Sequence, residues 1–258
     1  EFYELSAAMT QVVEGVQYVG GAPAWTIVNQ FRQYGASTID ETGERANLQS
    51  QEFQDVFRLL EKFYAIPGLV NEAEEKYAYG NNDFFKDQIL AMYTGYMASH
   101  LNQLINNPPT YEWDLGAFPV YEGQSTGNPL DFHMLTVSKV SDKKEAAYRV
   151  MEALLTPEAQ TAISKAGRIT VLTDPDIKSV YAENSGIFKG KNLEAVFSVP
   201  NSPLVESDFS IYRDAAAPIL RDTVKEVALQ KTDINSALRT ANEKANAAIE
   251  LQKQGAGN

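Results

Sequence analysis

The chain has 258 residues, of which 44% are hydrophobic and 22% charged, and its formal net charge is -12. This acidic balance repels phosphate backbones, and no basic face interleaved with aromatic residues occurs, so the sequence argues against nucleic-acid binding. The absence of cysteine excludes disulfides, thiolate metal sites and a cysteine nucleophile. No apolar run approaches the roughly 18 residues of a membrane-spanning helix.

The N-terminal part predicts helices separated by glycine-rich breaks. Phe2, Leu5, Met9 and Val12 or Val13 follow helical spacing, and no initiator Met or signal-peptide pattern precedes them. We therefore interpret the chain as a fragment or processed form whose beginning is missing. The segment "EGVQYVGGAP" interrupts this periodicity, and a second helix with Trp25 just inside it is predicted to follow.

The next elements predict a hairpin, a helix and a buried strand. "STIDETGERANL" is typical of a short hairpin with Thr42-Gly43 in its turn. Ser50 is expected to cap a helix whose apolar stripe is Phe53, Val56, Phe57, Leu60 and Phe63. The apolar run "ILAMYTG" predicts a buried strand, followed by a helix from about 96 to 104.

The C-terminal half alternates predicted strands and helices. "WDLGAFPVYEG" indicates a strand, and the segment 132–160 a strand, a helix and a second short helix opened by Thr-Pro-Glu. Two helices are then expected at about 207–229 and 233–252, with Asp233 capping the last. Such alternation favours an α/β fold.

The sequence contains no motif that carries catalytic chemistry. Phosphate-binding glycine loops and the G-x-S-x-G nucleophile motif are absent. His100 and His133 are far apart in the sequence, although His133 lies next to Asp131 at the start of a predicted strand. The acidic residues are suited to the first turns of helices and to solvated faces. A glycosidase that uses two carboxylates is the rival interpretation. We therefore expect no enzyme activity, no cofactor and no metal site.

Aromatic residues occur where α/β folds place ligands, at strand ends and helix starts. Tyr93 and Tyr96 bracket Gly95 at the end of a predicted strand, and Phe209 and Tyr212 are expected to begin a helix. Core packing is the alternative interpretation of each ring. Together with Trp25 they favour stacking on the apolar faces of sugars.

Several stretches, taken in order, resemble the family 1 extracellular solute-binding proteins of ABC importers, the group that includes maltose-binding protein. Tyr96-Met97 stands where this family usually has a Trp, and Ile169-Thr170 replaces a Leu-Pro. The stretches are "FRQYGASTIDETGERANLQSQEF", "FFKDQILAMYTGYMASHL", "YEWDLGAFPVYEG", "GNPLDFHMLTVSKVSDKKEAAYRVMEALLTPEAQ", "GRITVLTD" and "INSALRTANEKANAAI".

The resemblance implies an α/β, two-lobe periplasmic-binding-protein type II fold in which the ligand is clamped by hinge closure. It also implies a fragment, with a complete second lobe and only the returning part of the first. Residues 1–125 and 176–258 would belong to the second lobe and 126–175 to the first. The returning part would then lack sheet partners and expose apolar surface.

The function implied is that of a substrate-binding component outside the membrane, either a cell-surface lipoprotein or a periplasmic protein. Its partners would be a small solute, most simply a saccharide, and the permease subunits, with membrane contact only through a lipid anchor or the permease. A cationic solute such as a polyamine, a carbohydrate-active enzyme and a sensing or attachment domain are the alternatives. The predicted ligand-binding residues are Trp25, Tyr93, Tyr96, Asn128, Asp131, His133, Arg168, Phe209 and Tyr212.

Overall fold

The computed structural model describes residues 1–23, 27–95, 104–106, 108–130, 134–204 and 209–256. These residues form two compact units. The first contains the described parts of Glu1–Thr94, Phe118–Leu130 and Val199–Asn258, and the second those of Gly95–Ala117 and Asp131–Ser198. The lobe boundaries inferred from the resemblance stay a prediction.

Helices dominate both units, and the strands are short. In chain order the helices are α1 Phe2–Met9, α2 Ile27–Tyr34, α3 Gln51–Tyr64, α4 Asn81–Phe85, α5 Lys144–Leu154, α6 Pro157–Lys165, α7 Pro175–Ser179, α8 Arg213–Ala228 and α9 Ile234–Ala256. The strands are β1 Gln11–Val13, β2 Val16–Gly21, β3 Leu90–Met92, β4 Gly127–Pro129 and β5 Asn201–Ser202. Within the described ranges, no helix is both long and apolar enough to cross a membrane.

A β-hairpin follows the predicted first helix. The order β1-β2-β3 forms a mixed sheet, in which β1 pairs with β2 antiparallel and β2 pairs with β3 parallel. Glu14 and Gly15 both have positive φ, of 50° and 83°, which is the geometry of a tight hairpin turn that matches strand twist. The expectation that the first helix extends to Val12 or Val13 is therefore wrong.

The core of the first unit packs α3 against α2, α8 and α9. All five predicted residues of the α3 stripe are buried, and Phe31 of α2 lies 5.0 Å from Phe53 and 5.2 Å from Phe57 between ring centroids. Asp233 caps α9 as predicted, since its carboxylate accepts a hydrogen bond from the Ser236 amide at 3.0 Å. Ser50 occupies the N-cap position of α3, but its hydroxyl makes no capping bond.

The segment 113–123 is not the strand predicted for it. Side chains of α2, not a neighbouring strand, hold its end, because Gln33 donates to the Pro119 carbonyl at 2.8 Å. The Tyr121 hydroxyl donates to the Gln30 carbonyl at 3.0 Å. Local β propensity was therefore outcompeted by tertiary hydrogen bonds. The predicted 42–43 hairpin is reduced to a single antiparallel bridge between Ile39 and Ala46.

The second unit contains α5 and α6 where the sequence predicts them. Thr156 caps α6, since its hydroxyl accepts from the Ala159 amide at 3.3 Å. The described part of the strand predicted before α5 is irregular, and its apolar side chains are exposed, with Met134 at 72% and Val140 at 91%. A strand needs a partner for its ladder, and none pairs with 134–139 among the described residues.

The helices predicted at about 207–229 and at 96–104 remain to be compared with the structure. The penultimate helix begins at Arg213, not near 207, and Tyr212 stands at its N-cap position. The helix expected at 96–104 falls almost wholly outside the described residues.

Candidate functional site

The parallel strands β2 and β3 end side by side. Their register pairs Val19 with Leu90 and Gly21 with Met92, so the residues that follow each strand leave the sheet at the same edge. In open α/β sheets, ligands bind outside the carboxyl ends of the strands. This edge, continued by Pro23 after β2 and Thr94 after β3, is the candidate functional site.

Glycine and serine allow α1 to lie directly on β2. The hydroxyl of Ser6 is fully buried, donates to the Gly21 carbonyl and accepts from the Gly21 amide at 3.1 Å. A Cβ at Gly20 would come within 2.5 Å of the Ser6 carbonyl oxygen, so only glycine permits this approach. The close contact brings the start of α1 to the carboxyl edge.

A groove of about 710 Å³ opens at this edge, within the first unit, and Pro23 and Thr94 both line it. Its other walls come from α1, α2, α3 and the segment 118–122. The aromatic residues that line it are Phe2, Tyr3, Tyr34, Phe63, Phe118 and Tyr121. Its polar lining includes Gln30, Gln33, Asp55, Arg58, Lys62 and Glu122.

Asp55 is the centre of the polar wall. Its carboxylate accepts hydrogen bonds from Gln51 at 2.8 Å, from Arg58 at 2.9 Å and from the Tyr34 hydroxyl at 3.3 Å. Burial, and then the negative charge of Asp55, raise the pKa of Tyr34, so this hydroxyl stays protonated. Fixed donors and acceptors beside aromatic faces are suited to binding a polyhydroxylated molecule.

Tyr93, one of the predicted site residues, directly follows the last residue of β3. Its ring stacks on Phe84 at 5.9 Å and meets Phe85 edge-on at 6.1 Å, and it packs against the core of the first unit. Tyr93 therefore contributes to the core, and its predicted contact with a ligand stays a prediction.

Asn128 and Arg168 lie on different units. Asn128 is in β4, which pairs parallel with β5, and its backbone carbonyl accepts from the Asn201 side chain at 3.0 Å. Arg168 follows α6 in the second unit, is half-buried, and its backbone amide donates to the Ile163 carbonyl at 3.2 Å.

Phe209 and Tyr212 differ in their surroundings. Phe209 is 66% exposed, whereas Tyr212 is half-buried and packs against the core. The ammonium group of Lys253 lies 5.4 Å from the centroid of the Tyr212 ring. Trp25, Tyr96, Asp131 and His133 lie outside the described residues.

None of Tyr93, Asn128, Phe209 and Tyr212 lines the groove. Sequence reasoning missed the residues that do, although a signal was present in α3. Asp55, Arg58 and Lys62 are spaced i, i+3 and i+7, and so share its polar face, but only the opposite, apolar stripe was interpreted.

No protein-family model and no curated protein match this sequence. Solved structures do match. UspC of M. tuberculosis is similar with a TM-score of 0.64 and 16% identity, over 96% of this chain and 65% of its own. The maltose/maltodextrin-binding domain MalE from Bdellovibrio bacteriovorus, bound to maltotriose, is similar with a TM-score of 0.57 and 16% identity, over 98% of this chain and 65% of its own.

The ABC substrate-binding protein Lmo0181 from Listeria monocytogenes, in complex with cycloalternan, is similar with a TM-score of 0.59 and 18% identity, over 92% of this chain and 66% of its own. The chain has the α/β fold of these structures. The predicted periplasmic-binding-protein type II fold is thus confirmed, and so, at the level of fold, is the resemblance to ABC solute-binding proteins. The chain spans about 65% of the length of the structures that it matches.

Proposed function

We propose that this chain belongs to the substrate-binding component of an ABC importer, which captures a small solute outside the membrane. One observation carries the proposal: the fold likeness to an ABC substrate-binding protein extends over 92% of the chain. The permease subunits would be its partners, and the membrane would be reached only through them or through a lipid anchor. Binding, not catalysis, is the activity proposed.

The solute proposed is a saccharide or oligosaccharide. Two similar structures hold maltotriose and cycloalternan, which supports this class. Gly21 and Met92, the last residues of β2 and β3, are paired in the sheet. Trp25 comes four residues after Gly21 in the sequence, and Tyr96 four residues after Met92. The aromatic and amide lining of the groove at the same edge also suits a sugar.

The ligand contacts themselves stay predictions. We assign stacking to Trp25, Tyr96 and Phe209 or Tyr212, and polar contacts to Asn128, Asp131, His133 and Arg168, with Tyr93 at the edge of the site. Binding would stabilise a closed state by making more contacts in it, which is a population shift by hinge closure.

A ligand screen on the full-length protein tests this proposal. Thermal shift with maltotriose, cycloalternan, ribitol, spermidine and an amino-acid control identifies the class, and calorimetry then gives the affinity. We expect a raised unfolding temperature with a saccharide alone, because a ligand that binds only the native state stabilises it. Stabilisation by spermidine alone would favour the cationic-solute alternative, and release of shorter glycans would identify an enzyme.

Closure is tested separately by small-angle scattering. We expect the radius of gyration to fall when the identified saccharide is added. An unchanged radius with tight binding would refute hinge closure while leaving the binding function intact.

A further inference from the structure

Three segments that are far apart in the sequence contact one another at one place. They are the turn 40–45, the loop 209–212 and the last turns of α9, and all belong to the first unit. Lys253 and Ser210 make most of the connections. We call this set of contacts the Lys253 clamp.

Lys253 connects the turn to the loop. Its ammonium group donates to the Glu44 carbonyl at 3.1 Å and to the Glu250 carboxylate at 3.0 Å, and it lies 3.7 Å from the Glu44 carboxylate. The same group lies over the Tyr212 ring at 5.4 Å, within the range of a cation–π interaction. The pKa of Lys253 is raised, first by its bond to Glu250, so the cation persists at neutral pH.

Ser210 makes the second connection. Its hydroxyl donates to the Gly43 carbonyl at 2.6 Å and accepts from the Tyr212 amide at 3.2 Å. Gln252 adds a third bond, from its side-chain amide to the Ile211 carbonyl at 3.2 Å. The loop is therefore held at consecutive residues: its own Ser210 side chain bonds the turn and the Tyr212 amide, and Gln252 of α9 bonds the Ile211 carbonyl.

Tyr212 packs against the core, but the other apolar side chains of this loop contribute little to its order. Phe209 is 66% and Ile211 is 72% exposed, so burial of their side chains contributes little to the conformation of the loop. Exposed loops with few buried apolar contacts open easily. The polar contacts of Lys253 and Ser210 then decide which conformation the loop presents.

We propose that Lys253 is a positioning residue for ligand binding, which holds the loop 209–212 and the Tyr212 ring in the conformation that receives the solute. This inference rests on the proposed function, because it takes Phe209 and Tyr212 as ligand contacts. Lys253 would not contact the solute itself and would act through the Tyr212 ring and the turn 40–45. If removing the cation lowers the population of the competent loop to a tenth, the apparent Kd rises about tenfold.

The first experiment needs no ligand. Hydrogen exchange in the full-length protein is measured for a peptide that spans 209–213, in wild type, Lys253→Met and Lys244→Met. Lys244 is exposed on the same helix and serves as the matched control. We expect faster exchange in Lys253→Met only, and recovery in Lys253→Arg, which keeps the cation. Unchanged exchange in Lys253→Met would overturn the clamp.

The second experiment is a double-mutant cycle on binding, with maltotriose as the probe. We expect Lys253→Met to weaken binding about tenfold in wild type and to have little further effect in the Tyr212→Ala background. If Lys253→Met weakened binding equally in the wild-type and Tyr212→Ala backgrounds, a role of Lys253 through Tyr212 would be overturned. Faster exchange with unchanged affinity would overturn the ligand role of the clamp.

Failure of the proposed function has a different result. If wild type binds neither maltotriose nor any other saccharide of the screen, the saccharide function fails, and with it the ligand role of Lys253. Exchange in the 209–213 peptide would still decide whether the clamp itself exists.

Discussion

The side-chain amide of Gln33 donates a hydrogen bond to the Pro119 carbonyl, at 2.8 Å and across 86 positions of the chain. A second, longer bond of 3.3 Å reaches the Thr126 carbonyl. One buried glutamine on α2 thus holds both ends of the segment 119–126, which lines the groove with its first part, 119–122, and leads into β4. Order in this wall depends on side-chain hydrogen bonds and not on a strand ladder.

Replacing Gln33 should therefore destabilise the first unit. We expect Gln33→Leu to lower the free energy of unfolding by about 1–3 kcal/mol, because it leaves two carbonyls without their donor. Gln51→Leu, at an exposed position of α3, is the control and should cost much less. Urea denaturation followed by circular dichroism measures both. Equal stability of the two variants would contradict the role assigned to Gln33.

The contact of α1 with β2 gives a second prediction. A Cβ at Gly20 would lie 2.5 Å from the Ser6 carbonyl oxygen and 2.8 Å from the Met9 Cβ, so α1 must shift to admit it. We expect Gly20→Ala to cost about 1–3 kcal/mol of unfolding free energy by overpacking. Gly116→Ala provides the comparison, since nothing lies within 4 Å of its Cβ position. Thermal denaturation that gave the same midpoint for both would show that α1 does not press on β2.

Amphipathic helices were the most predictable elements. The stripe of α3 was found from spacing alone, because a helix that buries one face must repeat apolar residues at that period. The β1–β2 hairpin was missed, although Gly15 supplied the signal for a turn with positive φ. The glycines around it were interpreted only as helix breakers.

Strand predictions failed where the partner decides the outcome. The segments 113–123 and 134–139 have strand-like composition, but β structure needs a neighbouring ladder that sequence spacing does not reveal. The groove shows the same limit. The spacing of Asp55, Arg58 and Lys62 indicated a shared polar face of α3, but their meeting with Tyr34 and Phe118 depends on tertiary packing that no local pattern reveals.

Two buried tyrosines make a matched pair. Tyr79 and Tyr181 are both 4% exposed, but the Tyr79 hydroxyl donates to the Leu69 carbonyl at 2.8 Å, whereas the Tyr181 hydroxyl has no partner within the described chain. We expect Tyr79→Phe to cost about 1 kcal/mol and Tyr181→Phe to be neutral or slightly stabilising. Chemical denaturation of both variants checks this. A larger loss in Tyr181→Phe would reveal a bond made by that hydroxyl.

Glu75 predicts a pH dependence. Its carboxylate pairs with Lys225 and, at 2.9 Å, with Lys231, so it ties the 71–76 turn to the end of α8 and the turn beyond it. These two cations, Lys225 first, lower the pKa of Glu75 to about 2. A lowered carboxylate pKa contributes stability that is present above the unfolded-state pKa and lost as the pH falls through the folded one. The contribution of Glu75 should therefore be complete above about pH 4.5 and disappear toward pH 2.

The variant Glu75→Gln isolates this contribution from the other acids of the chain. We expect it to be less stable than wild type at pH 7 in low salt, and the difference should shrink toward pH 2 and in 1 M salt, because the pair is exposed and screened. Glu72→Gln, in the same turn and also exposed, should show no such dependence. Urea midpoints at pH 7, 4.5 and 2.5 make the comparison. A difference independent of both pH and salt would contradict the role assigned to the charge of Glu75.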